Sequence, residues 1–298
     1  VLIAWLGLVV LGLAAIYSGF GPAVLTALGI LGLIGAGLPV TLTNVMLLAA
    51  ASAFASGLYA HLIVLRNTRR QTTGYEKTVR LARGPFFRVG IPLLLSHALS
   101  SFDKQALIFV LSLVASLQSV TMMGLANQIS LVVAMPLAAV TSLILAETSR
   151  AHGADALHSS MPRIRTMWCL AVVPVLAIAL AVIVMAETIS VMAFGSDYAD
   201  LGRVLVISIV GQIILVVAGP TQQTIMMTGH EKALVVMSAG KLIAVVALSA
   251  LLGSQFGALG GAWAFTLSVL LASVLYSIYI RRRLGLWVFA WVFPSSLR

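Results

Sequence analysis

Asp103 and Lys104 bring the most chemistry to the least expected place. They lie near the middle of a largely apolar stretch, 88–114, which is long enough for a membrane span. A charge at the bilayer centre costs roughly 2.5–3.5 kcal/mol on insertion scales. Such groups persist where they pair or face a water-filled cavity. On a helix, residues three, four and seven apart share a face. His97, Ser101 and Lys104 therefore line one face, and Ser96, Ser100 and Asp103 the adjacent one. Together they make a polar stripe through the membrane. Consecutive residues diverge by about 100°, so Asp103 and Lys104 cannot face each other squarely, and at least one must find a partner elsewhere. Lys241 is the other cation inside an apolar run. It lies about 12 Å from the start of its expected helix, beyond easy snorkelling. It can pair with Asp103 across the bundle, leaving Lys104 to a cavity, or face the cavity itself. A cation in that place suits an anionic substrate.

The remaining polar residues within apolar runs have two readings. Asn127, Gln128 and Ser130 precede Pro136, and Gln222 and Gln223 follow Pro220. Interhelical hydrogen bonds account for such residues, and a polar contact to substrate competes with that account. The prolines mark expected bends. Asn44 and His61 are expected to pack. His152, Asp155 and His158 share one polar gap, and two imidazoles with a carboxylate can hold a metal. No further ligand stands close in sequence, so a solvated loop is expected. The chain has no Walker loop, no His-Glu-x-x-His and no Gly-x-Ser-x-Gly. The expectation is a protein that is not an enzyme, with no cofactor and no bound metal. With no ATPase module in the sequence, active transport would draw on a gradient or a partner.

The elements that position these groups follow from composition. The chain has 298 residues, 61% of them hydrophobic and 9% charged, and a mean hydropathy of +1.10. Apolar runs of about 20 residues recur, each enough to cross the hydrocarbon, whereas a membrane β-barrel would show ~10-residue alternating segments. The fold class is therefore all-α, a polytopic transmembrane bundle of about nine helices. The net charge of +10 does not signal nucleic acid, because the basic residues concentrate in the gaps between apolar runs, the pattern of cytoplasmic loops. Residues 1–65 contain no Lys, Arg, Asp or Glu and divide into helices near 1–17, 21–37 and 40–65. Residues 66–88 form a basic connector, expected in the cytoplasm. Six spans follow, near 89–115, 119–146, 164–187, 201–227, 233–252 and 258–281, making a six-helix unit over 89–283. Residues 284–298 begin a further segment. Arg150, Arg163, Arg165, Lys232 and Arg281 to Arg283 mark alternate gaps as cytoplasmic, and Glu187, Asp197 and Asp200 mark an external one. Cys169, the only cysteine, is expected to pack as a small core residue. The chain opens inside an apolar run and is expected to be part of a longer protein. Ala55-Ser56-Gly57-Leu58-Tyr59 echoes Ala272-Ser273-Val274-Leu275-Tyr276, which fits a parallel repeat.

Several short motifs carry a resemblance. Ser101-Phe102-Asp103-Lys104 resembles the Asp-Arg/Lys element of bacterial polysaccharide flippases. Ala146-Glu147-Thr148-Ser149-Arg150 is similar to their Pro-Glu-x-Ser-Arg, with Ala146 in place of proline. Phe194-Gly195-Ser196-Asp197-Tyr198 resembles their Phe-Gly-x-x-Tyr loop, and Thr228-Gly229-His230-Glu231-Lys232 their Thr-Gly-Arg-Glu turn. Phe256-Gly257-Ala258-Leu259-Gly260-Gly261-Ala262 resembles their Gly-Ala-x-Gly-Ala helix start. The five stand in the family's order. The resemblance implies the multidrug/oligosaccharidyl-lipid/polysaccharide exporter fold, two lobes around a central cavity, with 89–283 as a complete lobe and 1–65 as part of the other. It implies export of a lipid-linked oligosaccharide across the bacterial inner membrane by alternating access. The implied partners are the polyprenyl pyrophosphate carrier, membrane lipids and a glycan polymerase. Substrate contacts are then expected from Lys104 first and Lys241 second, with Asp103, His97, Asn127 and Gln128 around them. A multidrug and toxin extrusion antiporter of the same fold is the alternative. It needs acids, and Asp103 is the one deep within these spans. A non-transporting membrane scaffold is a third reading.

Overall fold

A computed structural model of the chain describes residues 83–154, 156–286 and scattered positions between 29 and 66. The chain divides into two compact units, Val1–Leu81 and Ala82–Arg298. Every described position of the first unit is helical. The expected helix limits within 1–65, His61 and most of the 66–88 connector lie outside the described residues.

In the second unit the described residues form α1 (Arg83–Val114), α2 (Leu117–Gly153), α3 (Leu157–Phe194), a 3-10 turn (Ser196–Tyr198), α4 (Leu201–Val217), α5 (Thr221–Met227) and α6 (Glu231–Leu284). Among the described residues there is no strand. The fold class is all-α, as composition requires. By length and apolarity α2, α3, α6 and the bent α4–α5 pair can each cross a membrane. α1 has comparable length, with its apolar character thinned by the polar stripe.

Several boundaries differ from expectation. The expected 119–146 and 164–187 spans run over Leu117–Gly153 and Leu157–Phe194, so His152 and His158 stand on helix ends and not in a loop. α1 begins at Arg83, so the last part of the expected connector is helical. The expected 201–227 span is two pieces meeting at 45°. Gly219, at φ 82°, turns the chain, and Pro220, lacking an N–H, cannot continue the helical ladder. The Val216 carbonyl freed there accepts from Gly219 N at 3.2 Å and from the buried Trp168 Nε1 at 2.8 Å. The expected gap at 253–257 is no loop but a kink within α6, where Gly257 takes φ 57°, ψ −128°. Its arms fold back on each other. A straight helix would separate Ser238 from Tyr276 by about 57 Å, yet their side chains interact. Gly260 lies so close to the Leu252 carbonyl that a Cβ there would overlap it.

Burial follows helical periodicity. Along α3, Leu157, Met161, Ile164, Trp168, Val172, Val175 and Ala179 are buried, at the spacing of three and four that lines one face. Leu170, Val173, Leu180 and Val184 are exposed, as expected of residues facing lipid. Glycines bring helices together where backbones meet, as small residues do in membranes. At Gly202 a Cβ would lie 3.2 Å from the Glu187 backbone, and at Gly211 2.9 Å from Thr266 Oγ1. Thr266 Oγ1 itself donates to the Ile207 carbonyl at 2.9 Å, which ties α6 to α4.

The two ends of the bundle differ in charge. At one end Gln118 Nε2 donates to the Asp197 carbonyl at 3.0 Å, and a Cβ on Gly257 would lie 2.7 Å from Ser119 Oγ. The α1–α2 junction, the 3-10 turn and the α6 kink therefore gather there, with Glu187, Asp197, Asp200 and Arg203. At the other end Arg163 of α3 reaches Glu147 of α2 at 3.3 Å, and Gly285 lies by His158. Lys232 stands in the first turn of α6 and Arg281 to Arg283 in its last, both on that side. The basic end fits the cytoplasmic side.

Candidate functional site: a buried charge centre

α1 and α6 make the most extensive helix pairing of the second unit, and the charged residues meet inside it. Lys241 Nζ lies 2.6 Å from Asp103 Oδ2, with the side chains 17% and 3% exposed. The contact is short enough for a charge-assisted hydrogen bond from the ammonium. The other oxygen, Oδ1, has no donor among the described residues. Of the two arrangements open from the sequence, the cross-bundle Asp103–Lys241 pair is the one formed.

Lys104 points elsewhere, as the 100° step between neighbours requires. Its Nζ lies 5.9 Å from the centroid of the Phe265 ring, at the outer limit for a cation–π contact. Among the described residues no carboxylate lies within 4 Å of it. The centre therefore holds two cations against one acid. Ser238 is three residues before Lys241 and shares its face. Tyr276, on the returning arm, is buried and lies near Ser238 and Asp103. Gln222 Nε2 of α5 donates to Ser100 Oγ at 3.4 Å, a long bond that links the broken helix to the polar stripe.

The stripe expected on α1 divides by burial. Ser96 and Asp103 are buried and Ser100 half-buried, whereas His97 and Ser101 are exposed and Lys104 is intermediate. Asn127 is half-buried and Gln128 exposed on α2, and no described contact joins His97, Asn127 or Gln128 to the charge centre. Sequence reasoning missed Tyr276, Ser238 and Phe265 as neighbours of the pair. Ser238 had a signal, its spacing from Lys241. Tyr276 and Phe265 had none, because the fold-back at Gly257 brings them in. Asp155 lies outside the described residues, and among the described residues no three His, Cys, Asp or Glu side chains gather as a metal site would require.

The motifs fall at junctions. Gly195, Gly229 and Gly257 have positive φ of 92°, 77° and 57°, backbone that favours glycine. Each belongs to one of the elements whose order resembled the exporter pattern.

These features define the class, a polytopic helical membrane protein with a charge centre inside the bundle. No protein-family model matches the sequence, and no curated protein matches it. The fold is similar to two crystal structures of MATE. One is in complex with MaL6, with a TM-score of 0.65 and 17% identity. The other is in the straight conformation, with a TM-score of 0.62 and 16% identity. Each match covers 92% of this chain and 62% of the other, so the chain spans under two thirds of their length. The chain has the fold of these two structures.

Proposed function

We propose that the protein is a gradient-driven membrane transporter working as a cation-coupled antiporter of the multidrug and toxin extrusion type, and that it catalyses no covalent reaction. The observation that carries this reading is the Asp103–Lys241 pair set within a fold like that of MATE. An antiporter needs a carboxylate that binds the coupling ion and the substrate in turn. Asp103 is buried at mid-bundle, its Oδ1 without a donor among the described residues, and Lys241 is a tethered cation that fills its place between occupants. An arriving cation displaces Lys241, and its departure lets the pair re-form. Everted vesicles bearing the full-length protein test this. A sodium or proton gradient should drive uptake of a lipophilic cationic dye, and Asp103→Asn should abolish it at normal abundance. Dye uptake unaffected by Asp103→Asn removes the role assigned to the carboxylate.

A second reading has its own observation. Lys104 remains as a cation in excess, and a cation in low dielectric lowers the cost of moving an anion. That favours export of a polyprenyl-pyrophosphate-linked oligosaccharide across a bacterial inner membrane, with Lys104 on the pyrophosphate. On that reading Lys104→Ala abolishes glycan export at normal abundance and Lys104→Arg keeps part of it, whereas dye antiport tolerates both. Normal glycan export by Lys104→Ala defeats it.

A further inference from the structure

The acidic end of the second unit holds a cleft that the transport reading does not use. Its volume is about 680 Å³, within the range of roughly 300–1,000 Å³ typical of ligand pockets. Its walls come from the end of α3, the start of α4 and the returning arm of α6. Gly202 and Glu187 both line the cleft, and α4 approaches the α3 backbone there closely enough that a Cβ on Gly202 would lie 3.2 Å from it.

The lining is amphipathic in an ordered way. Ile183 and Val184 stand on α3, Val206 and Ile207 on α4, and Leu259 on α6. All but Leu259 are a turn or more from the loops, towards mid-span. Asp200 and Arg203 stand at the start of α4, and Glu187, two turns before the end of α3, lies level with them beside Gly202. Asp200 Oδ1 and Arg203 NH1 are 3.7 Å apart, a loose pair with both side chains exposed. Trp263 is half-exposed beside them, and tryptophan favours the level of the lipid headgroups.

We infer that this cleft is a binding site for an amine-bearing phospholipid, a phosphatidylethanolamine, in the leaflet at the acidic end. Each part of the cleft has a counterpart in that molecule. Arg203 matches the phosphate, for which a guanidinium fork is well shaped. Glu187 and Asp200 match the primary ammonium. The aliphatic walls take the start of an acyl chain, and the Trp263 ring covers the glycerol level. Two carboxylates against one guanidinium disfavour a purely anionic lipid such as phosphatidylglycerol, which would bring a phosphate and no ammonium. The site lies away from Asp103 and Lys241 in sequence and in height, so the inference does not rest on the choice between antiport and flipping.

The test is native mass spectrometry of the purified full-length protein, equilibrated in detergent with equimolar phosphatidylethanolamine and phosphatidylglycerol. The wild type should retain phosphatidylethanolamine over phosphatidylglycerol by about fivefold, the scale of one charge contact near a membrane surface. Glu187→Gln with Asp200→Asn should erase that preference. Arg203→Ala should weaken retention of both lipids. All three side chains are exposed, so folding should survive, and a wild-type measurement needs no variant at all. Brominated phosphatidylethanolamine in nanodiscs should quench a tryptophan signal that Trp263→Phe removes, and brominated phosphatidylglycerol should quench it less. Equal retention of the two lipids by the wild type overturns the inference. So does a preference that survives the double substitution, or equal quenching by the two brominated lipids.

Discussion

Two of the carboxylates that cations hold in the second unit, Asp103 and Glu147, sit in opposite surroundings. Asp103 meets Lys241 inside the bundle, with both side chains largely out of solvent. Glu147 meets Arg150 at 3.1 Å and Arg163 at 3.3 Å at the basic end, its own side chain 14% exposed and the arginines 75% and 73% exposed. By contact geometry Glu147 has the richer site, with two cationic partners rather than one. By energy the order reverses. The ends of the arginines remain hydrated, so removing Glu147 leaves nothing stranded. Removing Asp103 leaves Lys241 as an unpaired ammonium in low dielectric. Burial of the partner, rather than the number of contacts, should decide what each pair is worth.

The sharpest way to break this comparison is to remove one member of the inner pair. Lys241→Met should destabilise the protein by about 3–5 kcal/mol, the usual cost of stranding a buried charge. Detergent thermal unfolding and membrane abundance would both record it. The double variant Asp103→Asn with Lys241→Met should recover most of that loss, since replacing both buried charges by neutral groups is often nearly neutral. Transport should stay absent in the double variant. A double variant as unstable as the single one would mean that the pair is not what the substitution breaks.

The next effect concerns what brings the pair together. Lys241 stands on the outgoing arm of α6, and Tyr276 and Phe265 on the returning arm. Gly260 packs directly on the Leu252 carbonyl, and backbone cannot swing aside as a side-chain end can. Gly260→Ala should cost about 1–3 kcal/mol as overpacking and should disturb the charge centre from some twenty residues away. Gly240→Ala, where the added Cβ meets nothing within 4 Å, is the control. Equal losses from the two would show that the fold-back has no special tightness.

How far the site was legible follows from the same geometry. Asp103, Lys104 and Lys241 were conspicuous because an apolar background makes every charge costly and therefore informative. That Asp103 and Lys104 must part company followed from the 100° helical step alone. The choice of Lys241 as partner was one of two arrangements left open, since helix periodicity fixes faces and not which faces meet. Tyr276 and Phe265 were invisible because their approach depends on Gly257. One glycine in a run of small residues reads as well for a loop, a kink or a close contact. The break at Pro220 was easier, as proline removes a ladder donor wherever it stands. The buried Trp168 that serves the freed carbonyl at Val216 was not foreseen, because 48 residues separate them. Trp168→Phe should cost about 1 kcal/mol, a modest loss because Gly219 N still donates to that carbonyl.

The smallest effect should come from the outer pair. Glu147 stands in the last two turns of α2, where the helix dipole disfavours an acid and favours the cations Arg150 and His152. Its two arginine contacts offset that penalty, and Arg163 adds the link to α3. Glu147→Gln keeps the size and one carbonyl acceptor for the arginines. It also relieves the dipole conflict, so loss and gain partly cancel. The net change in stability should stay within about 1 kcal/mol and shrink further as salt is raised. Topology should not change, because acids contribute little to orientation and every flanking arginine remains. Detergent unfolding of Glu147→Gln beside Lys241→Met, at low and high salt, makes the measurement. A salt-sensitive loss of a few tenths of a kcal/mol in the first and a larger, salt-insensitive loss in the second fit burial as the deciding variable. A Glu147→Gln loss as large as that of Lys241→Met would mean that contact number outweighs burial, and the ranking of the two sites would have to be reversed.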